Sequence, residues 1–449
     1  MMIIRKALLH LVKRQRCFGL PSSDLVRPGN QDYRMLAKAV EQALVDHDIS
    51  VWFPRCIDTI NGGFTAGYSN TWQTLAAQSK GLVFHARMTW FTAQLSERMS
   101  GDAARRFQDY ALHGVKFLQQ TLWDSKRGGF FWNLNNDGSL PPGDPDEKYV
   151  YGVAFAIFGC ANVARVTHDD EAFELAQRTF RWLDAHAHDP SNGGYYETLS
   201  GDGTPLVDAL SKPALTPIGL PYGYKSMNTH IHLLEAFTEL YRVWPDPILR
   251  GRLEELFHLV RDKMFVRPGC LNKYYTADFQ PVPALGSYGH DVETAYLLVE
   301  AAGVLGIPDD ECTWKKGRHL VDNALQYAFD GKLGGFFDEG PAFHNATHLD
   351  KVWWTQAEAL NALLVMHERS GADDLRYWAA FMQTWRFICQ YQFDSKNGGW
   401  HETVWEDDKP ILANKGHNWK AAYHTGRALL NVSARLRRLG QETPPEIKP

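Results

Sequence analysis

Cysteine is sparse in this chain of 449 residues: six in all, at Cys17, Cys56, Cys160, Cys270, Cys312 and Cys389, with no C-x-x-C pair. That scatter excludes a compact disulfide framework and fits free thiols in a reducing compartment. Positive charge is not in excess either. Lys and Arg number 47 against 52 Asp and Glu, for a formal charge of -5, and no basic block interrupts the chain. Nucleic acid is therefore not an expected partner. No apolar run is long enough to predict a membrane span. The opening stretch, MMIIRKALLHLVKRQRCFGL, is broken by Arg5, Lys6, Lys13, Arg14 and Arg16 where a signal peptide needs unbroken apolar sequence. The expected location is the cytoplasm. A Walker loop, a dinucleotide fingerprint and an HExxH pair are also missing, so neither a nucleotide cofactor nor a metal is expected.

Aromatic residues, by contrast, are plentiful, at 13% with 15 Trp. They serve as core, and also as platforms on which the C–H faces of sugars stack. A second abundance is periodic. The pattern D-x-x-x-G-G-aromatic begins at Asp58, Asp124, Asp189, Asp330 and Asp394, and a degenerate copy lies at Pro268–Tyr274. The spacing is roughly 65 residues, which makes six units. Each turn follows an amphipathic helix, for example Ala103 to Leu122, Glu171 to His186 and Asp374 to Tyr391, and precedes a more apolar one. The apolar helices are expected near 72–98, 148–165, 226–243, 287–305, 350–368 and 417–438. Six such hairpins predict an all-α (α/α)6 barrel, six inner helices inside six outer ones, with short β-like loops at one end. The rival is an open solenoid. The barrel is expected over 31–440, after an N-terminal extension, 1–30, and before a tail, 441–449.

In a closed ring the inner helices run the same way, and their N-terminal turns meet at one mouth. The third opens S-M-N-T-H-I-H-L-L-E, with Ser226 as a cap candidate and Asn228, His232 and Glu235 on one face. The fourth carries His290 and Glu293, the fifth Trp353, Trp354, Gln356 and Glu358, and the sixth Trp419 and His424. Arg87 lies in the first, and Lys148, Tyr149 and Tyr151 open the second. The other ends of these helices read as apolar. His232-x-x-Glu235 and His290-x-x-Glu293 each place a carboxylate one turn from an imidazole, where it can orient the ring and raise its basicity. Arg87 is placed to bind a developing oxyanion. His230 points away from this face and reads as structural. A metal held by His232, His290 and His424 is the lesser alternative, since no clustered ligand spacing supports it.

Four motifs, K-S-M-N-T-H-I-H-L-L-E-A, S-Y-G-H-D-V-E, W-W-T-Q-A-E and W-K-A-A-Y-H-T-G-R, resemble the N-acylglucosamine 2-epimerase superfamily, and within it most of all the cellobiose 2-epimerases. The resemblance implies an (α/α)6 barrel that inverts C2 of a reducing mono- or disaccharide without metal or nucleotide, as a monomer or homodimer. By motif match it implies that His290 and His424 exchange the C2 proton, with Glu293 supporting His290 and Arg87 holding the enediolate. It further implies that Asn228, His232, Trp354, Glu358, Trp419 and Tyr149 bind the sugar. Aldose–ketose isomerisation is the close rival, and a glycoside hydrolase working through paired carboxylates such as Glu293 and Glu358 the distant one. Three departures stand out: His85 where the family commonly has Gln, Ala421-Ala422 before Tyr-His, and an apparent insertion over 214–224 expected to lie beside the mouth.

Overall fold

The computed structural model describes residues 26–207, 215–371, 374–405 and 407–441. Most of the expected extension, the first residue of the insertion and nearly all of the expected tail lie outside them. Among the described residues twelve long helices follow one another: α1 (Asn30–Leu44), α2 (Leu82–Arg98), α3 (Gly101–Phe117), α4 (Val150–Thr167), α5 (Asp170–Ala187), α6 (Met227–Val243), α7 (Pro247–His258), α8 (Tyr288–Val304), α9 (Glu311–Tyr327), α10 (Trp353–Ser370), α11 (Arg376–Phe387) and α12 (Tyr423–Leu439). The even-numbered helices form the inner ring. Each touches the next, and α12 touches α2, so the ring closes and an open solenoid is excluded.

Periodicity decides which helix lies where. In α1 the buried residues Tyr33, Ala37, Val40 and Leu44 recur at three and four, a single stripe that faces inward. In α4 every residue from Val150 to Ala164 is buried. That helix alone among the described residues is long and apolar enough to cross a membrane, but it lies packed between α2 and α6. Ser226 caps α6 as expected, accepting from the Thr229 amide at 3.0 Å.

The Gly-Gly turns share one mechanism. Both glycines adopt positive φ, for example +79° and +69° at Gly193 and Gly194, a conformation that strains any residue with a Cβ. The second glycine also has a close neighbour. A Cβ on Gly194 would lie 2.6 Å from the His230 ring, and one on Gly63 would lie 2.6 Å from that of His85. Those rings, and the Gln356 amide in the fifth unit, sit at the fourth position of their helices. They accept the backbone amides of Phe64, Tyr195 and Phe336 at 2.8–3.1 Å. His85 therefore does structural work that Gln356 also does elsewhere in this same chain.

The aspartate of each turn is explained by a buried lysine just before an inner helix. Lys80, Lys148, Lys225, Lys351 and Lys415 reach Asp58, Asp124, Asp189, Asp330 and Asp394 at 2.7–3.0 Å. The degenerate fourth turn has no such lysine; there the Leu271 amide donates to Asp291 on α8 at 2.9 Å. Short antiparallel pairs, such as Glu147–Tyr149 with Thr198–Ser200 and Lys351–Val352 with Thr403–Val404, tie the start of one inner helix to the following turn.

Three expectations need correction. The sixth inner helix starts at Tyr423, not near 417, so Trp419 lies in the loop before it. The first inner helix starts at Leu82, not near 72, because Gln78 ties off an intervening loop on the carbonyls of Gly67 and Leu75. The far ends of the inner helices are not uniformly apolar. Gln94, Asn162, Glu239 and Glu300 occupy the thirteenth position of α2, α4, α6 and α8 and form a polar belt.

Candidate active site

The mouth is built in tiers. The second residues of α4, α6, α10 and α12 are Tyr151, Asn228, Trp354 and His424; the sixth residues of α2, α6, α8 and α10 are Arg87, His232, Glu293 and Glu358. Four residues of helix advance the chain by about 6 Å, so the second set lies one turn deeper. A cavity of about 230 Å³ opens over them, lined by Arg87, Tyr151, Asn228, His232, His290, Trp353, Trp354, Trp419 and His424. Trp354 lies beside both imidazoles of the fourth and sixth units, its ring 4.7 Å from that of His290 and 5.7 Å from that of His424. Beyond Trp419 a second hollow of about 210 Å³ is walled by Trp132, Asn133 and Asn418. Trp419 is shared by both and is 38% exposed, unusual for so large a ring.

The two imidazoles are held differently. His424 Nδ1 is 2.6 Å from Glu358 Oε1, and the Glu358 carboxylate also meets Tyr296 and Arg427. Burial pushes the Glu358 carboxyl up, against Arg427 and Tyr296, which donate to its two oxygens; with both oxygens accepting, Nδ1 donates its proton to Glu358, which leaves Nε2 bare. His290 Nδ1 faces the Ser287 hydroxyl at 2.7 Å. Burial holds both rings well below the ordinary histidine range, and the Arg87 charge pushes the same way, so each gives up a proton readily.

Beneath them lies a buried ion cluster. Arg427, only 3% exposed, donates to Glu235, Glu293 and Glu358. One cation cannot neutralise three carboxylates, and the three respond unequally. At Glu235 burial pushes the carboxyl up, but Arg427, His232 and Tyr423 outweigh it and hold it at about 2. At Glu293 burial and the Glu358 charge together push it up to about 7. Glu293, Glu358 and His424 come close enough to hold a cation. Arg427 already supplies positive charge to both carboxylates, so a metal would compete with it. Arg87 is the reverse case. Among the described residues it has no ion pair, its Nε has no acceptor, and its guanidinium reaches the Tyr151 hydroxyl at 3.1 Å over the faces of Phe155 and Tyr423. A buried cation without a counterion, at the wall of a cavity, is a site prepared for an oxyanion.

Compared with the sequence reading, Arg87, Asn228, His232, His290, Trp354, Trp419 and His424 are brought together. Four expectations are displaced. Tyr149 does not line the cavity; its hydroxyl donates to Glu147 at 2.6 Å, as does Tyr222 at 2.7 Å from the apparent insertion. None of the described residues of that insertion lines either hollow. Glu293 does not support His290 but turns down to Arg427, and Glu358 stands under His424 and does not face the cavity. His232 does pair with Glu235, at 3.0 Å. The sequence reading puts Tyr151 at the mouth without a role, and gives none to Ser287 or Arg427. For Arg427 a signal existed: an arginine three residues after His424 in an otherwise buried helix needs partners.

The sequence profile of the N-acylglucosamine 2-epimerase (GlcNAc 2-epimerase) family matches residues 62–428. The cellobiose 2-epimerase of Ruminococcus albus is 31% identical over 409 residues, covering 89% of this chain and 99% of that one. The structure of a cellobiose 2-epimerase from Spirochaeta thermophila superposes with a TM-score of 0.79 at 30% identity, over 90% of this chain and 98% of that one. That of Bacillus thermoamylovorans gives 0.81 at 25% identity, over 89% and 99%.

Proposed function

Since this chain belongs to the N-acylglucosamine 2-epimerase family, we propose that it is a sugar 2-epimerase acting at the reducing end of a glucose- or mannose-terminated disaccharide such as cellobiose. The observation that carries this reading is a pair of imidazoles, His290 and His424, facing one cavity beside the uncompensated Arg87. In the ring-opened sugar one imidazole takes the proton from C2, and its electron pair passes into an enediolate whose oxygens lie on Arg87. The other imidazole, which enters the turnover protonated, gives its proton to the opposite face of C2 and is left bare. His424, with its Nδ1 proton held by Glu358, is the better-defined base. Asn228 and His232 hold hydroxyls, and Trp354 stacks on the reacting sugar. The hollow beyond Trp419 supports a second sugar ring, and hence a disaccharide.

An aldose–ketose isomerase shares the enediolate and differs only in returning the proton to C1. Hydrolysis through Glu293 and Glu358 has less support, because both carboxylates are spent on Arg427 and neither lines the cavity. Cellobiose, lactose, glucose and mannose incubated in deuterated buffer and followed by proton NMR distinguish these readings. The expected result is loss of the C2 proton signal with growth of the C2 epimer, fastest for a disaccharide. A ketose product supports the isomerase, and no exchange at C2 of any of the four sugars rejects the reading for them. The free cysteines among the described residues suit a reducing, cytoplasmic setting.

A further inference from the structure

The polar belt at the far end of the barrel encloses a cavity of about 290 Å³, whose lining includes Asn162, Glu239, Arg242, Glu300 and Asn431. Arg242 is 41% exposed and marks its solvent side. Among the described residues neither Glu300 nor Asn431 has a hydrogen-bond or ion-pair partner. A roomy cavity with unsatisfied polar walls holds water. Its inner wall is formed by Glu235 and Arg427, beside the aromatic rings of Trp90 and Phe158. Glu235 thus faces this rear cavity while its Oε2 lies 3.0 Å from His232 Nδ1, and His232 lines the front cavity. The two side chains are 7% and 2% exposed and join the two cavities through one hydrogen bond.

We propose that His232 and Glu235 form a proton conduit from the rear cavity to the sugar site. The proposal rests on the C2-inversion reading above. Each turnover leaves one of His290 and His424 protonated and the other bare, the reverse of how the cycle began. A second turnover in the same direction needs one proton removed and one delivered. The bulky rings of Trp353, Trp354 and Trp419 crowd the front. For removal, His232 Nε2 accepts a proton from the charged imidazole through a water or sugar hydroxyl, Nδ1 passes its own proton to Glu235, and Glu235 releases it to rear water. Delivery is the same path reversed; one proton moves and no electrons do.

The test is Asn431→Phe, which fills the rear cavity while leaving Glu235, Arg427 and the front residues unsubstituted. Resetting the free enzyme limits kcat but not kcat/KM. The variant is therefore expected to lose kcat severalfold while keeping kcat/KM, and to retain more substrate protium at C2 of the product in deuterated buffer. Added imidazole, a small proton carrier, should restore kcat. Wild-type kcat and wild-type deuterium incorporation in the folded variant overturn the conduit, as does an equal loss of kcat/KM that imidazole does not rescue. Should Asn431→Phe not fold, Asn431→Leu is read by the same measurements. A wild-type protein that exchanges no C2 hydrogen rejects the functional reading, and the conduit with it; exchange that is insensitive to the rear cavity rejects the conduit alone.

Discussion

Glu293 and Glu358 illustrate how much a single side chain's neighbour decides. Both are sixth residues of inner helices and both contact Arg427, yet only Glu358 touches an imidazole. On the proposed mechanism, His290→Ala and His424→Ala should each lower turnover by about 100-fold or more, as loss of a general acid–base group does. Glu358→Gln should lower kcat by about tenfold or more with little change in KM, since it removes the anion that fixes the His424 tautomer. Glu293→Gln should cost less, having no imidazole to misplace. Steady-state kinetics on the disaccharide compare all four. In the sequence, His232-x-x-Glu235 and His290-x-x-Glu293 were indistinguishable. They differ because His232 sits at the sixth position of its helix and His290 at the third, so one turn further along reaches different depths of the barrel. Spacing within a helix was legible, whereas depth required the helix start. The role of Arg427 was hidden for a related reason: its three acidic partners come from three other helices.

The repeating unit reads differently at the scale of the element. The glycines of the turn announced positive φ, but nothing in the spacing revealed that its aspartate answers a lysine 21 to 36 residues later. Breaking a buried pair strands a charge. Lys225→Met, which leaves Asp189 unpaired at 0% exposure, should destabilise by about 3–5 kcal/mol, measured by thermal or denaturant unfolding. His85 gives a pH test. Burial lowers its folded value to about 3 from 6.5. The unfolded chain takes up that proton first, so the contribution of His85 is complete above pH 6.5 and is lost as pH falls toward 3. At about pH 5 the site alone costs about 2 kcal/mol. His85→Gln, which can accept the Phe64 amide as Gln356 accepts that of Phe336, should flatten stability against pH over this window. An unchanged slope would count against His85 as the acid-labile link.

For the whole molecule, closure is the property that matters. The count of six units was legible from the turns. Closure itself was an inference from the number, because the α12–α2 contact joins residues more than 300 positions apart. A solenoid shortened by one repeat keeps a core, but a ring does not. Truncation before Lys415, removing α12, should abolish the cooperative thermal transition and expose the apolar walls of α2 and α10 to a hydrophobic dye. A sharp melt in that fragment would contradict the dependence on closure.

The same closure places Gly440 beside α1: a Cβ on it would lie 3.3 Å from the Asn30 carbonyl. The two ends of the barrel are thus neighbours, and the order in which the gene presents the six units is a matter of history more than of architecture. A short tether from α12 to α1, with new ends cut into the exposed turn around Gly138, should yield a circular permutant that assembles the same mouth from a rearranged message.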